Sequence, residues 1–455
     1  MGRIVILISL FYSSLTFSLV PENIFQNDLE IIELLGNKIN VAKNNSAIPF
    51  SIKEVDAILS DPKSLVYKDF KINDYFYKDV KFWFYIYTVF HSHHVVMHDK
   101  ENLSLIYDVI EYEELKNSNL SEYTKFALQS RLTDERIKTI RKDFVHLRKN
   151  KAKTNNQKKI IAALEKVGFK IPPPSRKRTK LFKGLAKNLR TQTGQKDSIQ
   201  NGIESFEIYK ETFFEWLDYF KLPKELIWIS FLESSFNVKA KSKVGATGVW
   251  QFMRRIGKYF MPYNKRKDGR LSPVMSTLAA FHLLHQNKKI LKGWDLAIPA
   301  YNSGTKHLIK ARRKLKKKRP SLEEILEKYD HPHMGFASKN FYSEFLALTH
   351  AMAYRELFYN VKNLKTSKRK INVFLTKCKI KVKDFNRKVV KRTPHTRDMN
   401  KHLKNKKHWY KRGTILFSDI NLTSKKYLKL TMKQLRRKYP KNYKDYLKGH
   451  SCSTK

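Results

Sequence analysis

The sequence predicts a mainly α protein with a small α+β unit toward its C-terminal end. Two observations lead there. Helical apolar patterns run from Pro21 to Leu65, within residues 121–168 and from Asp197 to Phe236, whereas residues 370–420 place a helical stretch between short β-type runs. The 455 residues, 41% apolar and 13% aromatic, supply ordinary cores for two or three domains. The only cysteines, Cys378 and Cys452, lie far apart in the chain. That excludes a disulfide framework; two free thiols are the default, with one bridge open to an oxidising compartment.

Residues 1–18 have the pattern of a secretory signal peptide: Met1-Gly2-Arg3 is basic, Ile4 to Tyr12 is apolar, and Thr16-Phe17-Ser18 offers small residues before a cleavage point. The polar, acidic stretch from Pro21 argues against an N-terminal core strand. No cysteine stands at the cleavage region for a lipid anchor, and no further apolar run reaches the ~20 residues of a membrane span. The mature protein is expected to be soluble or peripheral.

Residues 19–171 are expected to be mostly helical, and Thr133 to Leu147 and Asn156 to Glu165 form basic amphipathic patterns. His91, His93, His94 and His98 come after the aromatic run Val80 to Phe90 and raise the possibility of a zinc site. However, the alternation of His93, Val95 and Met97 fits a strand with histidines on assorted faces. A structural role is preferred, metal is the lesser alternative, and no cofactor is expected. Pro172-Pro173-Pro174 cannot continue a helix, so residues 172–180 are expected to be a basic linker.

Residues 181–355 hold the chemistry. Asp197 to Phe220 is a helix whose aromatic positions suit a core. Leu222 to Phe236 is a short apolar helix in which Pro223 fits the first turn and Glu225 the positive end of the dipole. Leu226, Ile229, Ser230 and Glu233 share one face, so Glu233 stands beside aliphatic groups where helix gives way to Ser234-Ser235. A carboxyl placed there is poorly hydrated when charged, and its pKa should rise toward the range a proton donor needs near neutrality. A lone helix-end Glu more often simply faces solvent. The balance changes with the set around it: Arg190 to Asp197 before it, then Gly245 to Met253 with two glycines and Gln251, Ala300 to Gly304, and Asn340 to Phe345.

In this order and spacing, the set resembles the catalytic domain of lytic transglycosylases, glycoside hydrolase family 23, and within it the membrane-bound lytic murein transglycosylase D type. The resemblance implies a lysozyme-like helical domain that cuts the β-1,4 bond between N-acetylmuramic acid and N-acetylglucosamine and leaves a 1,6-anhydro end. Glu233 would be the single general acid/base. Ser242 would hydrogen-bond near the acid or the acetamido group, Gly245 and Gly248 would let backbone approach sugar, and Gln251 would line the cleft. Tyr301 and Asn302 would sit at a helix end facing Glu233, and Tyr342 would orient the acid or the oxocarbenium-like centre. The chain departs from the family pattern at Arg254-Arg255-Ile256 and at Pro299, where a kink is expected.

Other readings stay open. If Asp268, Asp295 or Glu344 faced Glu233 across a water, the enzyme would be a goose-lysozyme-like hydrolase. A wall-binding scaffold without turnover is a second alternative. A nucleic-acid binder would suit the charge alone, but the signal peptide and the complete motif set argue against it. The net charge of +51, from 92 basic and 41 acidic residues, predicts an anionic partner surface, although a Lys-, Asn- and Ile-rich composition is also what an AT-rich genome produces. The expected partners are peptidoglycan strands and anionic envelope surfaces, in the periplasm or outer envelope. Residues 370–420 resemble a divergent LysM-like module that binds N-acetylglucosamine chains, and 421–455 is expected to be a basic tail, a helix succeeded by disorder.

Overall fold

The computed structural model describes residues 41–42, 52–331, 334–362, 364, 370–389, 395–405 and 407–452. The signal peptide expected over 1–18, and the first part of the helical pattern after Pro21, lie outside these residues.

Strand β1 (Val41–Ala42) and helices α1 (Ile52–Leu59) and α2 (Asp74–Thr88) come first. Asn73 caps α2 by accepting the Phe76 N–H, and the helix buries Phe76, Val80, Trp83, Phe84 and Tyr87. Next come strands β2 (His94–Asp99) and β3 (Ile106–Glu111), then α3 (Glu113–Asn117), α4 (Glu122–Leu147), α5 (Asn155–Lys166), α6 (Arg176–Asn188) and β4 (Leu189–Thr193). The four strands pair antiparallel in the order β1-β3-β2-β4. The region expected to be mostly helical thus contains a sheet. Every residue of β2 is buried because the sheet lies between two cores: Val96 joins the main core, Val95 and Met97 the one beneath α4, α5 and α6.

The prolines at 172–174 do stand between two helices, but the residues after them are packed. Ser175 caps α6, and the buried Arg178 donates to the carbonyls of Leu147, Asn150 and Pro172. β4 then pairs with β2, so the chain on both sides of residues 172–180 shares one sheet.

Helix α7 (Lys196–Phe220) buries Phe206, Tyr209, Phe213 and Trp216. A 3-10 turn over Lys224–Trp228 passes into α8 (Ile229–Ser234), succeeded by α9 (Arg254–Phe260), α10 (Pro273–Leu291), α11 (Trp294–Ala297), α12 (Pro299–Ser303), α13 (Thr305–Lys314), α14 (Leu322–Lys328) and α15 (Phe336–Ala353). α10 is buried on most faces, and α15 packs along α2 and reaches α8. Pro299 opens α12 instead of kinking a longer helix, because the first helical turn has no use for its missing N–H.

The C-terminal unit comprises β5 (Asn372–Thr376), β6 (Ile380–Lys381), α16 (Val382–Val389), α17 (Thr396–Met399), β7 (Trp409–Tyr410), β8 (Ile415–Ser418), β9 (Tyr427–Lys429) and α18 (Met432–Arg437). Its main sheet runs β8-β5-β9. The unit docks on the loop before α10: the Asp268 N–H donates to His402 O, the Lys404 N–H to Arg266 O, and Lys267 Nζ to Thr414 Oγ1.

The tail differs from expectation. Leu435, Tyr443 and Leu447 are buried against the main core, and Cys378 bonds to Cys452, so the described tail is folded and the two thiols are paired. The bridge closes a span of 74 residues, for which loop entropy allows up to about 4 kcal/mol. Reduction, or Cys378→Ser, is expected to lower the melting temperature of the C-terminal unit. A melt insensitive to reductant would contradict this.

Candidate active site

The site begins at a close contact between two helices. A Cβ at Gly202, in the second turn of α7, would lie 2.3 Å from the carbonyl oxygen of Ser235, so only glycine admits the end of α8 there. Ser235 and Phe236 then turn the chain through the left-handed region, at φ 48° and 53°. Two consecutive non-glycine residues in that region are strained, and such strain gathers at functional sites.

Glu233 is the penultimate residue of α8. Its side chain is partly exposed as a whole, yet both carboxylate oxygens are sealed from solvent and have no hydrogen-bond partner among the described residues. Burial, and secondarily the nearby Glu344 carboxyl, push Glu233 well above the usual carboxylate range.

The loop over residues 242–252 lies against this turn. Ser234 Oγ donates to Val249 O at 3.0 Å, and Tyr301 donates to Trp250 O at 2.8 Å. Burial and, secondarily, the Glu233 charge raise the Tyr301 hydroxyl well above its usual value, which places Tyr301 within electrostatic reach of Glu233 but not in a hydrogen bond with it. Ser242 is committed to the loop itself: its Oγ accepts the Ala246 N–H at 2.8 Å. Gly245 sits at φ 86°, and a Cβ at Gly248 would lie 2.0 Å from Arg270 O. Gln251, at φ 43°, folds its amide back to donate to Gly248 O at 2.8 Å. Asn302 accepts from Ser338 Oγ at 2.9 Å, while its buried Nδ2 has no partner among the described residues. Tyr342 goes elsewhere: its ring packs edge-on to Phe76, and its hydroxyl faces the Asp69 carbonyl at 3.5 Å. The charges bearing on it are those of Asp295, Glu323 and Asp69.

Three contributors take their place only from the folded structure. Arg270 forks onto the buried Asp268, at 3.0 Å through both Nε and Nη2, and its Nη1 donates to the carbonyls of Gly245 and Phe252. Glu344, on α15, is buried and pushed up to about 8 by burial, with Arg190 of β4 pulling the other way. Gly202 is the third. Of the other carboxylates considered as a partner for Glu233, Asp268 is taken by Arg270, and Glu344 bears on Glu233 electrostatically.

The histidine run forms a separate cluster. His93 and His94 direct Nε2 toward Glu111 Oε1, at 3.8 and 3.4 Å, and the three groups lie close enough to hold a metal ion. The hydrogen bonding disfavours one. His94 Nδ1 accepts the His91 N–H at 3.2 Å, and Lys116 Nζ lies 3.5 Å from His93 Nδ1. These contacts leave the ring proton on each Nε2, where a metal would need a lone pair. Burial, reinforced by His94 and Lys116, lowers His93 to about 4, in keeping with neutral rings around a carboxylate.

Residues 212–323 match the family model described as the transglycosylase SLT domain, so the class read from the motifs is borne out over this stretch. Among individual proteins, the chain is similar to membrane-bound lytic murein transglycosylase D of Escherichia coli (strain K12), at 35% identity over 92 residues, 20% of each chain. It is also 36% identical over 99 residues to a protein named for tributyltin chloride resistance from Alteromonas sp. (strain M-1), 21% of this chain and 48% of that one. The chain thus spans about a fifth of the length of the transglycosylase D relatives and about half of the other.

Two outcomes test this geometry. Gly202→Ala replaces a poor helix former with the best one, a change worth about 1 kcal/mol in favour of an open helix. It is nevertheless expected to lower the melting temperature, since a Cβ there meets the Ser235 carbonyl; a higher melting temperature would contradict the packing. Glu344 has a folded pKa near 8 against an unfolded value of 4.5, so burying it carries no ionisation cost below 4.5 and destabilises increasingly as pH rises toward 8. Glu344→Gln should therefore melt above the parent at pH 8 by a few degrees, the difference shrinking toward pH 4.5.

Proposed function

We propose that the protein is a peptidoglycan lytic transglycosylase that cuts the β-1,4 bond between N-acetylmuramic acid and N-acetylglucosamine, with Glu233 as its single general acid/base. The observation that carries this reading is the sealed, unpartnered Glu233 carboxyl inside a segment that matches the transglycosylase SLT domain. A neutral carboxyl donates its proton to the glycosidic oxygen as the bond from C1 breaks. The resulting carboxylate then takes the proton of the C6 hydroxyl while O6 bonds to C1, closing the anhydro ring. One group serves both steps because burial favours its neutral form and the developing sugar cation favours its charged form. Tyr301, whose hydroxyl donates to Trp250 O, lies within electrostatic reach of the acid, and the buried Nδ2 of Asn302 is a donor without a partner among the described residues, suited to an acetamido oxygen once a glycan exposes it.

Glu344 supports a second reading. A buried carboxyl within electrostatic reach of Glu233 is the partner an inverting muramidase would use to hold water. Reducing ends in the product would select it, and anhydro ends the first.

The C-terminal unit sets α16 and α17 between the antiparallel strands β5 and β8, an order that supports the LysM-like reading and, with it, binding to N-acetylglucosamine chains. The proposed location is the cell envelope. No helix among the described residues is long and apolar enough to cross a membrane.

Digestion of purified sacculi and mass spectrometry of the products test the reaction. The wild type should release anhydromuropeptides, and Glu233→Gln should lower the rate at least about a hundredfold while the protein still binds sacculi. Because the free enzyme must hold Glu233 protonated, kcat/KM should fall as pH rises through its elevated pKa. Equal release by the variant would overturn the role of Glu233; no release by wild type would favour a scaffold.

A further inference from the structure

The segment that departs from the family pattern, Arg254-Arg255-Ile256, opens α9 and builds a basic face beside the site. Four cations surround the half-buried Tyr263 ring: Arg254 at 5.2 Å, Arg270 at 5.3 Å, Lys258 at 5.4 Å, and Lys404, contributed by the C-terminal unit, at 5.9 Å. The one acid in this stretch, Asp268, is buried under Arg270, with Lys404 4.0 Å away. Arg254, Arg255 and Lys258 are exposed and have no acidic partner among the described residues. An aromatic face offsets only part of the repulsion in such a group, and an anion would remove it.

The face is continuous with the loop beside Glu233. Met253, which precedes α9, comes directly after the Trp250-Gln251-Phe252 turn, and Arg270 both flanks Tyr263 and donates to the carbonyls of Gly245 and Phe252. An anion held here is therefore best supplied by the molecule that reaches Glu233. In a peptidoglycan strand the sugars are neutral where their lactyl groups carry peptide, and the peptide branches bear the free carboxylates. Resting on the proposed function, we propose that Arg254, Arg255 and Lys258 bind peptide-branch carboxylates of the strand seated at Glu233, so that the protein selects glycan carrying charged peptides over glycan whose peptides are uncharged.

The test is co-sedimentation of the full chain, in a Glu233→Gln background that prevents digestion, with native sacculi and with sacculi whose carboxylates have been converted to amides. The parent should bind native sacculi about tenfold more tightly at low salt, with the preference lost near 0.5 M. Arg254→Gln/Arg255→Gln/Lys258→Gln should bind both forms alike, whereas Arg254→Lys/Arg255→Lys/Lys258→Arg should retain the preference. Equal binding of both forms by the parent, or an undiminished preference in the glutamine variant, overturns the proposal, as does a preference that polyphosphate abolishes and a soluble muropeptide does not. If the wild type releases no muropeptides yet shows the charge-dependent preference, the reaction assignment fails while the binding face stands.

Discussion

The structure depends on keeping one carboxyl away from water. A charged Glu233 would have to give up its hydration with no hydrogen bond in return, so the fold holds it neutral. Several local features serve that state. Gly202 admits the helix end, Ser235 and Phe236 turn the chain away in strained conformations, and Ser234 ties the turn to the loop above. That loop is braced from three sides: Arg270 holds the Gly245 and Phe252 carbonyls, Tyr301 holds Trp250 O, and the Trp250 indole donates to Thr277. For the proton transfer proposed for Glu233, donors and buried groups set in advance would need little reorganisation, which is the advantage strain at such a place would bring.

The N-terminal and C-terminal parts contribute to the same centre. β4 brings Arg190 to Glu344, and α2 lies along α15 and fixes the helix that carries Glu344. At the other end, the C-terminal unit docks on the loop before α10 and adds Lys404 to the cations around Tyr263. A net charge of +51 spread evenly would mainly set solubility, but a concentration of it beside the loop that Ser234 ties down gives the proposed selection among substrates a local origin.

Much of the candidate site was legible in the sequence because its signals are local. The proline and acid before a short apolar run, the carboxyl at its end, and the paired glycines announce their own backbone requirements, and the long aromatic helix α7 can be read from period alone. The hidden features are nonlocal. The sheet order β1-β3-β2-β4 joins residues on both sides of a proline-rich stretch that looks like a linker. Glu344 gains meaning only when α15 meets α8, and Tyr342, two residues earlier on the same helix, meets Phe76 instead. Gly202 sits in a helix, where glycine has no local justification. The basic tail looked disordered from composition, but Leu435, Tyr443 and Leu447, spaced along it, find the main core, and Cys452 finds Cys378.

The protonation state of Glu233 can be measured directly. Carbon-13 NMR titration of side-chain carboxyls in the free protein, assigned by comparison with Glu233→Gln and Glu344→Gln, reads it without reference to turnover. The expected result is a Glu233 carboxyl still protonated when the surface glutamates have ionised, titrating well above 4.5. A Glu233 signal that ionises together with the exposed carboxylates would contradict it.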